Sequence, residues 1–396
     1  MTDASHLPSF RRRSLGALLV VCVAVLSASS LVAQEVPPRG VPGLATMDSL
    51  VAAEFAKDSI GSITAGIVRG SDLVWTKSYG FANMSTRKPA NRQTVYRIGS
   101  ITKMFTATMF LQLVDTGQLR LSDPVARFYP EISHVPGGTS RASAVTFLQL
   151  ATMTSGLAAE PSEATYDSGT VAEWETILGR AIQQSEFTFE PGTHFAYSNV
   201  GYAVLGAALG RAAKTPYIEW QQKRIFEPLG MRHTRFDIGA DIAGDLAVGY
   251  VVADGQIDST VPTRETIAGR GYRVPNGGIF TTLDDLSRFL AFELGNGPEA
   301  VLSHARLDSV YTGVIATSVD EDFGYGVGFM LQHRDDFPWL GHSGGVPGYQ
   351  AVMYFDRDHQ LGVILFRSAT GGKASINRLA PDMLKTLILA KLAAEK

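Results

Sequence analysis

The stretch YRIGSITKMFTATMFLQLVD, residues 96–115, carries the strongest fold signal in the chain. Its apolar side chains surround the axis instead of forming one stripe, which predicts a central helix that is buried on all sides. The helix is expected from about residue 100 to 115, with Gly117 where helices commonly end. Because residues three apart share a face of a helix, the Lys103 amine can reach the Ser100 hydroxyl.

The buried environment of this helix is expected to make Ser100 and Lys103 chemically reactive. Burial disfavours the ammonium form of a lysine, and a neutral amine can accept the proton of a serine hydroxyl. Ser100 also lies at the helix N-terminus, where its backbone N–H can stabilise an oxyanion. The pair is a candidate nucleophile and base, and a helix-capping serine beside an unrelated lysine is the alternative.

The same spacing occurs a second time, at Ser85-Thr86-Arg87-Lys88. Ser-x-x-Lys is expected about once by chance in a chain of this length, so the spacing alone is weak evidence. The second occurrence is polar and runs into Pro89, which predicts an exposed turn. We therefore reject it as a catalytic site.

Runs of β-forming residues lie on both sides of this helix in the chain. Residues 63–68 and 73–79 form a hairpin pattern before it. Three short apolar runs near the C-terminus predict an antiparallel meander, and a terminal helix at about 375–392 is expected to cover it. The three runs are residues 339–342, 349–355 and 361–366.

Strands at both ends of the chain with helices between them predict an α+β fold. We expect an antiparallel sheet built from both chain ends and flanked by helices, with a mostly helical insertion. The domain is predicted to span residues 44–392, with sheet-containing parts at 44–120 and 271–392 and the insertion at 121–270. A composition with 45% hydrophobic and 18% charged residues is sufficient for a large core.

The N-terminus has the layout of a secretory signal peptide. Three arginines at 11–13 precede an apolar run at 15–26 and small residues at 27–30. Residues 1–33 are therefore predicted to be a signal peptide, and 34–43, with three prolines and two glycines, a linker. This predicts bacterial export to the periplasm or the medium, and an uncleaved membrane anchor is the alternative.

Charge and cysteine content exclude several other classes of protein. The formal net charge of −3 comes without a basic stripe, which argues against nucleic acid as a partner. Cys22, the only cysteine, lies in the predicted signal segment, so the mature chain would have no cysteine nucleophile and no thiolate metal site. No two histidines have the spacing of a helical zinc site, and we expect no metal and no cofactor.

Two further motifs carry polar groups suited to hydrolysis. Tyr197-Ser198-Asn199 precedes a predicted helix, and its phenol could share a proton with Lys103 while its amide orients a substrate carbonyl or the lysine. His342-Ser343-Gly344 lies at the first strand of the meander, where glycines let backbone N–H groups approach a ligand closely. A half-buried tyrosine and an N-cap asparagine are the structural alternative for the first of these motifs.

These three motifs, in this order, resemble those of the serine β-lactamase and penicillin-binding superfamily, in the branch of class C β-lactamases, D-alanyl-D-alanine carboxypeptidases and related esterases. That family uses Ser-x-x-Lys, then Tyr-x-Asn, then Lys-x-Gly or His-x-Gly. Further similar segments extend the resemblance from about residue 44 to the C-terminus. They are Tyr96-Arg97-Ile98-Gly99, Thr154-Ser155-Gly156-Leu157, Phe195-Ala196-Tyr197-Ser198-Asn199-Val200-Gly201-Tyr202, Pro228-Leu229-Gly230-Met231 and Gly277-Gly278-Ile279.

The resemblance implies an acyl-enzyme mechanism with a role for each motif. Ser100 would be the nucleophile, and Lys103 and Tyr197 would transfer protons. The backbone N–H groups of Ser100 and Gly345 would form the oxyanion hole. The implied substrate-binding residues are Asn199, His342, Gly344 and Gly345.

His342 is the departure from the class C pattern, because the lactamases have lysine at this position. A lysine is a permanent cation for a carboxylate, whereas an ordinary histidine is mostly neutral at pH 7. The sequence therefore predicts an exported carboxypeptidase-like hydrolase or esterase that acts on a small molecule or peptide, with peptidoglycan fragments as one source. A class C-like β-lactamase is one alternative, and a slow-turnover penicillin- or peptidoglycan-binding protein is another.

Residues 341–345 also match the Gly-x-Ser-x-Gly nucleophile elbow, which would make Ser343 the nucleophile. That elbow requires a helix directly after the serine. A strand-like run follows Pro347 instead, so the sequence disfavours this alternative.

Overall fold

The two β-rich ends of the chain meet in one antiparallel sheet. The structure is a computed structural model that describes residues 40–312, 317–318, 322–334 and 337–395. The predicted signal peptide at 1–33 and most of the predicted linker lie outside the described residues.

The strands within the described residues are β1 (Ser62–Arg69), β2 (Asp72–Asn83), β3 (Lys88–Pro89), β4 (Tyr96–Arg97), β5 (Tyr250–Ala253), β6 (Gln256–Asp258), β7 (Phe280–Thr281), β8 (Thr317–Ser318), β9 (Phe323–Tyr325), β10 (Met330–Arg334), β11 (Phe337–Val346), β12 (Tyr349–Asp356), β13 (Leu361–Arg367) and β14 (Ala369–Thr370). The α-helices there are α1 (Leu44–Ala56), α2 (Thr102–Asp115), α3 (Thr139–Ala144), α4 (Phe147–Ala151), α5 (Trp174–Ala181), α6 (Asn199–Ala212), α7 (Tyr217–Gln221), α8 (Thr260–Ala268), α9 (Val274–Gly277), α10 (Leu283–Ala291), α11 (His304–Thr312) and α12 (Ile376–Ala394).

The main sheet has the strand order β3-β2-β1-β13-β12-β11-β10-β9-β8. Every neighbouring pair is antiparallel, and the pairing of β1 with β13 joins the two ends of the chain. All nine strands come from residues 44–120 and 271–392. The predicted fold class is confirmed, and the residues between those two stretches form helices α3 to α8 together with the short strands β5 and β6.

Helices cover both faces of this sheet because its central strands are apolar on both sides. Along β13, Val363 and Leu365 join the core beneath α1 and α12, whereas Ile364 and Phe366 join the core beneath α2, α6 and α10. This alternation follows from the two-residue period of a strand. In the described part of the chain, no helix is both long enough and apolar enough to cross a membrane.

Helix α2 occupies the position that its sequence predicts. Residues Thr102 to Leu113 are all buried, so the helix is central. A 3-10 turn, Gly99–Ile101, precedes it, and the α-helix begins two residues later than expected. The difference is small, but it places Ser100 in a tight turn in front of the helix.

Strand β11 is longer than its sequence indicates. We expected the strand to stop at His342 and a glycine-rich turn to follow, yet β11 continues to Val346. Gly344 pairs with Ala351 and Gly345 with Gln350, so both glycines belong to the ladder and only Pro347 and Gly348 form the turn.

Candidate active site

Ser100 lies in the 3-10 turn that leads into α2. Gly99 before it has φ +51°, and a Cβ at Gly99 would lie 2.7 Å from the backbone N of Gly345. Both features require glycine. Ser100 itself is half-buried. Its backbone N–H belongs to the first turn of the helix, where donors have no partner within the helix.

Lys103 is fully buried, and its Nζ has three polar neighbours. Nζ lies 3.0 Å from Ser100 Oγ, 2.7 Å from Asn199 Oδ1 and 2.9 Å from the backbone O of Asn276. Burial lowers the pKa of Lys103 well below its ordinary value, and the Glu160 carboxylate opposes this shift. Burial therefore favours the neutral amine, which is the form that can take the proton of Ser100.

Tyr197 lies beside the same pair. Its ring centre is 4.8 Å from Lys103 Nζ, and its hydroxyl is hydrogen-bonded to the Ser100 side chain. Burial raises the pKa of Tyr197 above its ordinary value, and the bond to Ser100 only partly opposes this. The phenol therefore keeps its proton at neutral pH and is a proton donor. The predicted pair of phenol and amine is arranged around Ser100, with each group next to its hydroxyl.

Asn199 is the first residue of α6, and Ser198 caps the helix. Ser198 Oγ accepts a hydrogen bond from the backbone N–H of Gly201 at 2.8 Å. The alternative of an N-cap asparagine is therefore wrong. The Asn199 amide instead accepts from Lys103 through Oδ1, and its Nδ2 donates to Glu160 Oε1 at 2.6 Å.

Two residues of this network were missed by the sequence analysis. Glu160 follows α4 in a loop, and Asn276 lies in α9, where its Nδ2 donates to the backbone O of Asn199 at 2.9 Å. Neither residue belongs to one of the three motifs. The only signals were neighbouring family-like segments, at residues 154–157 and 277–279.

Strand β11 packs directly against the nucleophile turn. A Cβ at Gly344 would overlap the backbone O of Ile98 and lie 2.8 Å from the backbone N of Ser100, so only glycine allows this approach. A Cβ at Gly345 would meet nothing within 4 Å. The structure thus places Gly344 against the backbone of Ser100 and Gly345 against that of Gly99, and their contact with a substrate stays a prediction.

His342 lies on the same strand, but its side chain is fully buried. Its Nδ1 faces the backbone O of Ser343, and its Nε2 lies 3.1 Å from the Tyr325 hydroxyl. This arrangement fits a neutral ring with a proton on Nδ1 and Nε2 as acceptor. Burial is the main cause that lowers the pKa of His342 to about 3. Both ring nitrogens have protein partners, so a substrate contact by His342 stays a prediction.

The alternative nucleophile Ser343 is not in a strand-to-helix elbow. It lies inside β11, and the next element is β12. The geometry that an α/β-hydrolase nucleophile requires is therefore missing at this position.

Comparison with known proteins gives one family for most of the chain. A family model described as Beta-lactamase matches residues 47–387. Beta-lactamase-like protein 2 of Dictyostelium discoideum is 30% identical over 331 residues, covering 80% of this chain and 58% of that protein. Protein flp of Staphylococcus aureus is 24% identical over 326 residues, covering 81% of this chain and 62% of that protein. The chain therefore spans about three fifths of the length of these relatives.

Solved structures with the same fold cover most of the chain. The octameric penicillin-binding protein homologue from Pyrococcus abyssi has a TM-score of 0.71 at 25% identity, over 88% of this chain and 77% of that one. A β-lactamase/D-alanine carboxypeptidase from Pseudomonas syringae has a TM-score of 0.71 at 20% identity, over 86% of this chain and 99% of that one. These matches do not distinguish the class C branch from the rest of the superfamily.

Proposed function

The chain belongs to the beta-lactamase family, and from this premise we propose that it is a serine hydrolase in which Ser100 forms an acyl-enzyme with an ester or amide substrate. The distance of 3.0 Å between Ser100 Oγ and Lys103 Nζ, at a fully buried lysine, is the observation that carries this proposal.

The proposed acylation step uses groups that are already in contact. Ser100 Oγ attacks the carbonyl carbon, and its proton passes to the neutral amine of Lys103. The backbone N–H groups of Ser100 and Gly345 stabilise the oxyanion that develops. When the bond to the leaving group breaks, the Tyr197 hydroxyl donates a proton to that group, and the Lys103 ammonium returns a proton to Tyr197. Water then hydrolyses the acyl-enzyme and restores Ser100.

The nature of the substrate follows from the charge at the site. His342, with a pKa of about 3, is neutral at pH 7 and supplies no cation for a carboxylate. This counts against an efficient β-lactamase. Within the proposed class of D-amino-acid peptidase, carboxypeptidase-like enzyme or esterase, it favours the esterase and other substrates whose leaving group has no carboxylate. We further propose that the substrate is a small molecule or a peptide, with peptidoglycan fragments as one source.

A substrate panel tests the proposed function. The purified protein is assayed with p-nitrophenyl esters, nitrocefin and a D-Ala-D-Ala peptide, with Ser100→Ala as the control. We expect turnover of the esters or the peptide to exceed that of nitrocefin and to be lost in the variant. Turnover that is equal in Ser100→Ala would overturn the proposal. A stable adduct without turnover would identify a slow-release binder instead.

Export is proposed from residues 1–33 alone. Sequencing the N-terminus of protein recovered from a bacterial periplasm tests it, and we expect a start near residue 34. Recovery of the uncleaved chain with the membrane fraction would support the anchor instead.

A further inference from the structure

The side-chain amide of Asn199 lies between Lys103 and the carboxylate of Glu160. Asn199 Oδ1 accepts from Lys103 Nζ at 2.7 Å, and Asn199 Nδ2 donates to Glu160 Oε1 at 2.6 Å. A carboxylate only accepts hydrogen bonds, so it determines which end of the amide faces it. Glu160 therefore turns the oxygen of Asn199 toward Lys103.

The orientation of Asn199 decides where the lone pair of Lys103 points. A neutral amine has two N–H donors and one lone pair, and Nζ has three neighbours. Asn199 Oδ1 and the backbone O of Asn276 are both acceptors, so they take the two N–H donors. The lone pair is left for the third neighbour, the Ser100 hydroxyl. A flipped Asn199 would offer N–H groups to the amine and compete for that lone pair.

Glu160 is itself fixed by two groups on its other oxygen. The Tyr272 hydroxyl donates to Glu160 Oε2, and Arg273 Nη2 lies 2.9 Å from the same atom. The Glu160 side chain is 39% exposed, so these bonds, rather than burial, hold the carboxylate in place.

We propose that Glu160 is a positioning residue for acylation, which orients the Asn199 amide so that the lone pair of Lys103 faces Ser100. This inference deepens the proposed function and rests on it. Glu160 does not touch the reacting atoms and acts only through Asn199.

The charge of Glu160 gives the proposal a second readout. Lys103 is active as a neutral amine, so the fall of acylation kcat/KM at acidic pH, its acid limb, follows the pKa of Lys103. The Glu160 carboxylate raises that pKa, and Arg273 and Arg270 lower it. Loss of the Glu160 charge should therefore move the acid limb to lower pH, and loss of the Arg273 charge should move it to higher pH. The other polar groups around Lys103 are the neutral His342, Tyr197 and Tyr202.

The experiment measures acylation kcat/KM against pH for wild type, Glu160→Gln, Glu160→Asp and Arg273→Gln. Partners that orient the ligands of a metal are worth about 10- to 100-fold, and we expect a comparable loss in the plateau of Glu160→Gln. Its acid limb should shift to lower pH, and that of Arg273→Gln to higher pH. Glu160→Asp keeps the charge, but its side chain is one methylene too short for the hydrogen bond with Asn199. Its plateau kcat/KM should therefore fall, while its acid limb stays near that of wild type.

Glu186→Gln is the matched control, because Glu186 is an exposed carboxylate and no part of the Asn199 network. We expect its profile to equal that of wild type. A double-mutant cycle with Asn199→Ala isolates the route through the amide. In that background Glu160→Gln should change the plateau by less than about twofold, since Asn199 is absent.

Three results would overturn the proposal. The first is a pH profile of Glu160→Gln that equals that of wild type. The second is a shift of the acid limb in the same direction in Glu160→Gln and Arg273→Gln. The third is a loss in plateau kcat/KM that Glu160→Gln causes to the same extent in the Asn199→Ala background. A wild type that forms no adduct at Ser100 would instead refute the proposed function. Thermal melting of each variant separates loss of fold from loss of positioning.

Discussion

The chain contains the pattern Ser-x-x-Lys in two places, and the two pairs differ in burial, in secondary structure and in their hydrogen-bond partners. Ser85 is exposed, and its Oγ donates to Asn83 Oδ1 at 2.8 Å. Lys88 Nζ reaches the backbone O of Gly244 at 2.6 Å and Asp245 Oδ1 at 3.0 Å. At the other place, Lys103 Nζ lies 3.0 Å from Ser100 Oγ, and Lys103 is fully buried.

The difference shows that the Ser-x-x-Lys spacing indicates a catalytic pair only where both residues lie at the start of a buried helix. Ser85 and Lys88 lie in a turn and a short strand, where residues three apart do not share a face. Ser100 and Lys103 lie at the start of a helix, where they do. Burial of α2 then makes the amine of Lys103 a base, whereas Lys88 ends in a surface ion pair.

The largest expected effect is that of Lys103→Ala compared with Lys88→Ala. General-base catalysis typically contributes about 10² to 10⁴ in rate, so Lys103→Ala should lower acylation kcat/KM by that factor. Lys88→Ala should leave it within about twofold, because exposed ion pairs contribute little. Stopped-flow acylation with a chromogenic ester measures both. Equal losses in the two variants would contradict the contrast.

The second prediction concerns the strand that packs on Ser100 and has no counterpart at Ser85. A Cβ in Gly344→Ala would overlap the backbone O of Ile98. We expect a loss of about 3 kcal/mol in the free energy of unfolding, together with slower acylation, because the backbone around Ile98 or Gly344 must move to make room for the methyl group. Gly345→Ala meets nothing within 4 Å and should keep the stability of wild type. Urea denaturation compares them, and similar stabilities would contradict the packing described.

The third prediction concerns Glu293, a buried carboxyl group that has no part in the proposed chemistry. Glu293 is buried, and burial raises its pKa from 4.5 to about 7 despite a 2.5 Å hydrogen bond from Tyr311. Between pH 4.5 and 7 the folded state binds more protons than the unfolded state, so this group's stabilising contribution falls as pH rises. The full change is about 3 kcal/mol.

Glu293→Gln removes this dependence, and urea denaturation at pH 5 and pH 8 measures it. We expect the free energy of unfolding of wild type to fall from pH 5 to pH 8 relative to that of Glu293→Gln, because only wild type loses the contribution of the Glu293 proton. Glu299→Gln, at a carboxylate whose side chain is 68% exposed, is the control and should follow wild type. The same change in Glu293→Gln as in wild type would show that burial does not shift this group.

The smallest effect is expected for Tyr325→Phe. The Tyr325 hydroxyl lies 3.1 Å from His342 Nε2, and loss of one such hydrogen bond costs about 1 kcal/mol in stability. Acylation should fall by less than about tenfold, because neither group bonds to Ser100. A loss above about 100-fold in kcat/KM would contradict this and would show that Tyr325 takes part in the chemistry.

Much of the fold could be predicted because the signals are local. The hairpin of β1 and β2, the buried helix α2, strands β12 and β13 of the meander and the terminal helix α12 each lie close to their expected bounds. The limits of β11 could not be predicted, because glycine normally interrupts a strand. Here Gly344 stays in the ladder, since a neighbouring backbone leaves no room for a side chain.

The site shows the same division between local and distant signals. Ser100, Lys103, Tyr197 and Asn199 meet as their motifs predict. Glu160 could not be predicted, because its significance lies in one contact with Asn199, 39 positions away in the chain. The burial of His342 was equally hidden, since it depends on Tyr325 and on packing that no short motif encodes.

The proposed role of Ser100 as nucleophile is tested most directly by the position of the covalent adduct. The protein is treated with a fluorophosphonate and digested with trypsin, and the peptides are analysed by mass spectrometry. Ser100 falls in peptide 98–103, where it is the only serine, and Ser85 falls in peptide 78–87. We predict one adduct, on peptide 98–103, which is lost in Ser100→Ala. An adduct on peptide 78–87 or on Ser343, or equal labelling of Ser100→Ala, would contradict the assignment of Ser100 as the nucleophile.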